Sequence, residues 1–207
     1  MQLLALVPKP VKAIVLLFPI TEQYENARKA EDQQIAEKGQ HPIDSTVLFI
    51  KQTIGNACGT MGLIHALANS SITLEPESPL ALFIDECKDM TPEQRAKLLE
   101  TTSHFADIHA EAAAAGQTAP PSANEHVDLH FTCFVQAPNP PAREEGIDVE
   151  ADGHRLIELD GRRIGPIDRG VCRDLLKDAM RYIQENYVSH TKDVHFSVMA
   201  LAPPSDF

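Results

Sequence analysis

The apolar run Ala13-Ile-Val-Leu-Leu-Phe18 does most to limit what this chain can fold into. Pro8, Lys9, Pro10 and Lys12 precede it, and Pro19 follows it. A membrane-spanning helix needs about 20 apolar residues. A secretory leader needs a basic start and a small-residue cleavage site. The run meets neither condition, so no membrane span and no leader are expected. A short apolar run closed by proline reads as a buried central strand over Val11–Phe18.

Other segments supply partners for such a strand. Val127–Val135 alternates, with Leu129, Phe131, Cys133 and Val135 on one face and His130, Thr132 and Phe134 on the other. His154–Leu159 is a second strand, ended by the turn signal Asp160-Gly161. Residues 127–160 therefore read as an antiparallel pair with a large Pro-rich connection over 137–150. Val194–Leu201 reads as a closing strand.

Asn56–Ala68 has helical periodicity, with Asn69 as its stop. Ser78–Lys88 and Asp174–Tyr187 read as helices, the latter amphipathic. Thr91-Pro-Glu-Gln94 combines a capping threonine, proline at the first helical position and glutamine three residues after the cap, so it starts a helix running to about Phe105. Gln23–Lys38, rich in charge, reads as an exposed helix or a mobile connection. Thr46–Lys51 reads as an extended approach to Cys58.

The 207 residues suit one domain with a full core. The formal charge of −12 disfavours nucleic acid and anionic membrane as partners, since both need a basic face. It suits a basic peptide or protein partner. Cys58, Cys87, Cys133 and Cys172 lack paired spacing, which fits reduced thiols in a cytoplasmic, or also nuclear, protein.

Cys58 stands where a helix begins. Unpaired N–H groups and the positive end of the helix dipole favour a thiolate there. Gly59 leaves room for a substrate backbone, and Gln52 can aim an amide at a developing oxyanion. The segment points to acyl transfer by a cysteine hydrolase, although a free cysteine more often serves as a small buried hydrophobe. Of nine histidines, His65 lies two turns along the same helix, about 10 Å away, too far for proton transfer. His126 and His130 share a strand face but lack a third ligand for a metal. His130 lies among apolar neighbours and is either a satisfied core histidine or a base. Asp160 is either a turn residue or the acid that orients that histidine. Spacing does not separate these readings.

The stretch Gln52 to Ala68, with Asn56-Ala-Cys-Gly59 and His65-Ala-Leu-Ala68, resembles the active-site signature of the ubiquitin carboxyl-terminal hydrolases. The resemblance continues through Pro10–Thr21, Val127–Phe131 and Glu158–Arg162. It implies a papain-like α/β (α+β) fold: a central, mainly antiparallel sheet flanked by helices on both faces, with a knotted backbone. It implies a single catalytic domain over 1–207 that lacks the family's N-terminal segment, and a crossover loop over the cleft at about 107–126. It further implies Cys58 as nucleophile, His130 as general base and acid, Asp160 as orienter and Gln52 in the oxyanion hole. No metal or organic cofactor is implied. The implied partner is ubiquitin, bound by a monomer, with small or flexible leaving groups preferred. Ile157, Gly165 and Arg169 depart from the family's pattern near Asp160. Two other readings stand beside this one: a truncated, non-catalytic ubiquitin binder, and a processing enzyme for another ubiquitin-like protein.

Overall fold

The computed structural model describes residues 2–102, 127–140 and 153–204. Among them, five strands form one antiparallel sheet: β1 (Ala13–Pro19), β2 (Leu129–Pro138), β3 (His154–Leu159), β4 (Ile167–Val171) and β5 (Ser197–Leu201), in the order β4-β3-β2-β1-β5. The apolar run Ala13–Phe18 thus lies inside the sheet, paired on both sides. The helices are α1 (Glu22–Lys38), α2 (Cys58–Ala68), α3 (Pro79–Cys87), α4 (Pro92–Thr101) and α5 (Leu175–Ile183).

Strand alternation sends side chains to two cores. Ile14, Leu16, Phe18, Phe134 and Leu156 pack with Leu175, Leu176, Ala179 and Ile183 of α5. Ala13, Cys133, Val135, Ile157 and Leu159 pack with Phe49 and with Ala66 of α2. Helices therefore cover both faces, and the expected alternation of β2 holds. Complete burial of each Leu, Ile or Phe contributes about 1.5–3 kcal/mol. A third core, behind α2, joins Leu48, Ile50, Met61 and Ile64 to Phe83, Cys87, Ala96 and Leu99 of α3 and α4.

Local chemistry sets most boundaries. Thr21, Ser78, Thr91 and Asp174 cap α1, α3, α4 and α5, and Thr91 with Gln94 forms the reciprocal capping box. Helix α4 stops at Thr101, short of Phe105, because the Thr101 and Thr102 hydroxyls turn back to the Leu98 carbonyl at 3.0 and 2.8 Å and Thr102 leaves the helical backbone region. Helix α5 ends at Ile183, and a π-helical turn, Gln184–Val188, carries the chain on. Strand β2 extends to Pro138, paired with His154. Thr46–Lys51 forms no strand; Leu48 and Ile50 instead bond to the Asn69 and His65 side chains.

The expected crossover loop lies outside the described residues, as does most of the 137–150 connection. No helix of the described residues is long and apolar enough to cross a membrane.

Candidate active site

The ends of β1, β2 and β3 and the start of α2 converge. His130 is the second residue of β2 and lies opposite Phe18 near the end of β1. Asp160 follows β3 directly. Cys58 opens α2, delivered there by Asn56 at φ 55, a left-handed conformation that asparagine tolerates. Among the described residues no side chain caps α2. The small residues Gly59 and Gly62 bring α2 close to the sheet. A Cβ on Gly59 would lie 3.4 Å from the Phe131 ring, and one on Gly62 3.5 Å from Val15. Gly59 thus faces the Phe131 ring on β2.

His130 Nε2 bonds Asp160 Oδ1 at 2.7 Å, and the other ring nitrogen is left for the Cys58 thiol, which is hydrogen-bonded to the imidazole. His130 is 3% exposed and Asp160 0%. The electrostatics follow from this chain of contacts. Burial pushes the Cys58 thiol up, but the His130 bond, its charge and the backbone N–H groups of Phe131 and Gly59 more than offset this, and the thiol lies below its ordinary value. Burial pulls His130 down, while bonds to Asp160 and Cys58 and their charges raise it to about 9. Burial likewise opposes the Asp160 anion, and His130 together with the backbone N–H of Arg162 lowers its carboxyl nonetheless. Arg162 N donates to Oδ1 at 2.8 Å.

The other three cysteines behave oppositely. Burial raises Cys87 to about 11, Cys172 to about 12 and Cys133 further still. Cys58 is also the only one of the four that is not buried. The thiolate character of residue 58 is therefore a property of its surroundings.

Gln52 sits beside the same turn. Its N–H donates to the Gly161 carbonyl at 2.8 Å, and a Cβ on Gly161 would come within 2.8 Å of Gln52 Cβ. Its side-chain Nε2 donates to the Ile54 carbonyl at 3.1 Å, while the buried Oε1 has no partner among the described residues. The bond to Ile54 uses one of the two N–H groups on Nε2, and an oxyanion role falls to the other. The Gly59 N–H is one of the helix-start donors expected at the sulfur, whereas the Phe131 backbone donor carried no sequence signal.

The remaining histidines divide. His65 is fully buried, stacks on Phe49 at 5.4 Å and accepts the Ile50 N–H at 3.0 Å, matching its reading as a packed helix residue. His41 bonds Asn139, and His195 bonds Asp193. His104, His109 and His126 lie outside the described residues. Among those described, no group of three or more His, Cys, Asp or Glu could hold a metal ion.

Residues 1–188 match the family described as ubiquitin carboxyl-terminal hydrolase, family 1. The chain belongs to the ubiquitin carboxyl-terminal hydrolase family. It is 40% identical over 205 residues to ubiquitin carboxyl-terminal hydrolase 3 of Arabidopsis thaliana, covering 97% of this chain and 79% of that protein. It is 39% identical over 199 residues to ubiquitin carboxyl-terminal hydrolase isozyme L1 of Homo sapiens, covering 94% and 80%. Its fold is similar to the UCH37 catalytic domain of Trichinella spiralis bound to ubiquitin vinyl methyl ester, with a TM-score of 0.60 and 22% identity over 93% of this chain and 76% of that one. Membership in the ubiquitin carboxyl-terminal hydrolases thus rests on nearly the whole chain, with the segments that carry Cys58, His130 and Asp160 inside the match.

Proposed function

We propose that this chain hydrolyses amide, ester or thioester bonds at the C-terminal glycine of ubiquitin. Cys58 is the nucleophile, His130 the base and acid, Asp160 the group that orients the imidazole, and Gln52 an oxyanion donor. The observation that carries this reading is the continuous Cys58–His130–Asp160 hydrogen-bond chain around the one cysteine whose thiol is lowered. Ubiquitin enters through the relatives' names and through the structural neighbour bound to a ubiquitin ester.

In the proposed reaction the Cys58 thiolate adds to the glycine carbonyl carbon while His130 holds the proton. Negative charge moves to the carbonyl oxygen, where the Cys58 backbone N–H at the helix start and a Gln52 Nε2–H stabilise it. The imidazolium gives its proton to the leaving nitrogen, oxygen or sulfur, and a thioester to Cys58 remains. His130 then takes a proton from water, the hydroxide adds to the thioester, and collapse expels the Cys58 thiolate and frees the ubiquitin carboxylate. Asp160 keeps one ring nitrogen occupied throughout, so the other faces the sulfur.

The thiolate–imidazolium pair exists above the lowered Cys58 value and below the His130 value of about 9. kcat/KM should therefore rise to a plateau and fall near pH 9. A ubiquitin C-terminal fluorogenic amide and a ubiquitin C-terminal electrophile test the proposal together. Turnover lost in Cys58→Ala, with the electrophile mapped to Cys58, is the expected result. Modification at Cys87, Cys133 or Cys172 would overturn the site. Binding without turnover or capture would establish the alternative, a ubiquitin binder that does not turn over. Failure to bind ubiquitin at all would point to a different ubiquitin-like protein. Comparing small with bulky ubiquitin adducts tests the leaving-group preference.

A further inference from the structure

Asp160 has two oxygens, and its bonds to His130 and to the Arg162 N–H both fall on Oδ1. The carboxylate is completely buried, so Oδ2 also needs a donor. Among the described residues that donor is Tyr24, whose hydroxyl lies 3.4 Å from Oδ2.

Tyr24 is placed from several sides. It belongs to the first turn of α1, where its own N–H bonds the capping Thr21 hydroxyl at 3.1 Å. Its ring packs edge-on to Phe18 at 4.8 Å and tilts against Tyr187 at 5.7 Å. Phe18 also packs edge-on to His130 at 5.7 Å. One aromatic cluster therefore sets both the imidazole and the phenol that flank the same carboxylate. Tyr187 spends its proton on Glu158 rather than Asp160, and its hydroxyl oxygen is also a hydrogen-bond partner of the Tyr24 hydroxyl. Helix α1 is itself tied to the sheet side: Arg163 bonds Asp32 and Glu31 at 2.6 Å each, and Arg169 joins Glu31 to Glu158.

We propose that Tyr24 is a positioning residue for the reaction: its hydroxyl fixes the rotation of the Asp160 carboxylate so that Oδ1 stays on His130. This rests on the role given to Cys58, His130 and Asp160 above. Burial and the Asp160 and Glu158 charges hold the phenol far above its ordinary value, so it remains a donor at any pH where the site works. The charged and titratable groups around the pair are Glu158, Arg162 and Arg163 beside β3, Arg28 on α1, Tyr187 after α5, His130 on β2, and Cys58 and His65 on α2. Removing only the hydroxyl leaves all of them in place.

The test is Tyr24→Phe in the whole chain, which keeps the ring packing. Two profiles are measured from about pH 6 to about pH 10: turnover of a ubiquitin C-terminal fluorogenic amide, and the rate of Cys58 alkylation by iodoacetamide, located by mass spectrometry. A carboxylate free to rotate holds the imidazolium less well, so the His130 proton is lost at lower pH. The expected result is a fall in kcat of roughly 5-fold with KM unchanged, and an alkaline limb shifted to lower pH in both profiles. Unchanged kcat and limb in Tyr24→Phe would overturn the proposal. A limb shifted upward would also overturn it, because the hydroxyl would then only be damping the carboxylate's charge. If the wild-type chain turns over no ubiquitin amide, the proposed function fails, while the alkylation profile still decides the role of Tyr24.

Discussion

The two faces of the sheet are built from different materials. The face under α2 is apolar: Ala13, Cys133, Val135, Ile157 and Leu159 meet Phe49 and Ala66. The face under α1 and α5 mixes an aliphatic core with a buried ionic and phenolic network. Glu158, 0% exposed, receives Arg169 at 2.7 Å, Thr132 at 3.1 Å and the Tyr187 hydroxyl. Arg163, 1% exposed, holds Glu31 and Asp32. The difference shows how labour is divided around the site. On the sheet side, apolar packing seats the helix that carries the sulfur, while His65 and Asn69 bond the Ile50 and Leu48 backbone. The base and its carboxylate are oriented by directional bonds, which dispersion contacts cannot provide.

The largest expected effect tests the ionic face. Arg169→Met leaves the buried Glu158 without its nearest cation and should cost about 3–5 kcal/mol in urea unfolding. Adding Glu158→Leu should recover most of that loss, because the uncompensated charge goes with it. A cheap single substitution would mean that the network is decoration and the two faces are equivalent.

Next in size is a contrast between two buried histidines. His65, in the α2 layer, is pulled down to about 4 by burial, although the Leu159 and Ile50 backbone and the Asp160 charge oppose this. Between its ordinary 6.5 and about 4 the unfolded chain binds more protons, so His65 contributes stability above 6.5 that is lost as pH falls to 4. The amount is about 3 kcal/mol. His65→Gln should flatten the dependence of melting temperature on pH across that acid window. His130 responds in the opposite sense. Raised to about 9, it contributes stability below 6.5 that is lost as pH rises through about 9. A wild-type stability curve that does not fall on its alkaline side would break the contrast.

Ile157→Val, on the apolar face, should cost about 1 kcal/mol at every pH, since it removes one methyl group from a packed core. Smallest of all, Lys88→Ala breaks the exposed pair with Asp85 and should leave the melting temperature unchanged.

The sequence made the apolar half of this comparison legible and the ionic half obscure. Periodicity and caps marked β1, β2, β3 and α2 to α4, because apolar faces repeat locally. Cys58, His130 and Asp160 could each be picked out, but their convergence came from the family resemblance and not from spacing. Helix α1 read as an exposed helix or a mobile connection because the face it turns inward is charged, with Asp32 buried and Tyr24 at the site. Strand β4 gave little signal: Asp168, Arg169 and Gly170 fill its middle, a bulge interrupts its ladder, and the Arg155–Asp168 pair helps hold it. The ties of this network to α1 span more than 100 residues, as with Arg163 and Asp32 or Arg169 and Glu31. No local pattern records such pairs.

Gly161 ties the strand that ends at Asp160 to the segment that presents Gln52. Even a methyl group there would collide with the Gln52 Cβ and press on its N–H. One substitution at a residue with no functional group of its own would thus disturb an acid and an amide that reach the cleft from opposite halves of the polypeptide. In screening genomes for active members of this kind, the absence of a side chain at that point is as informative as the presence of the thiol.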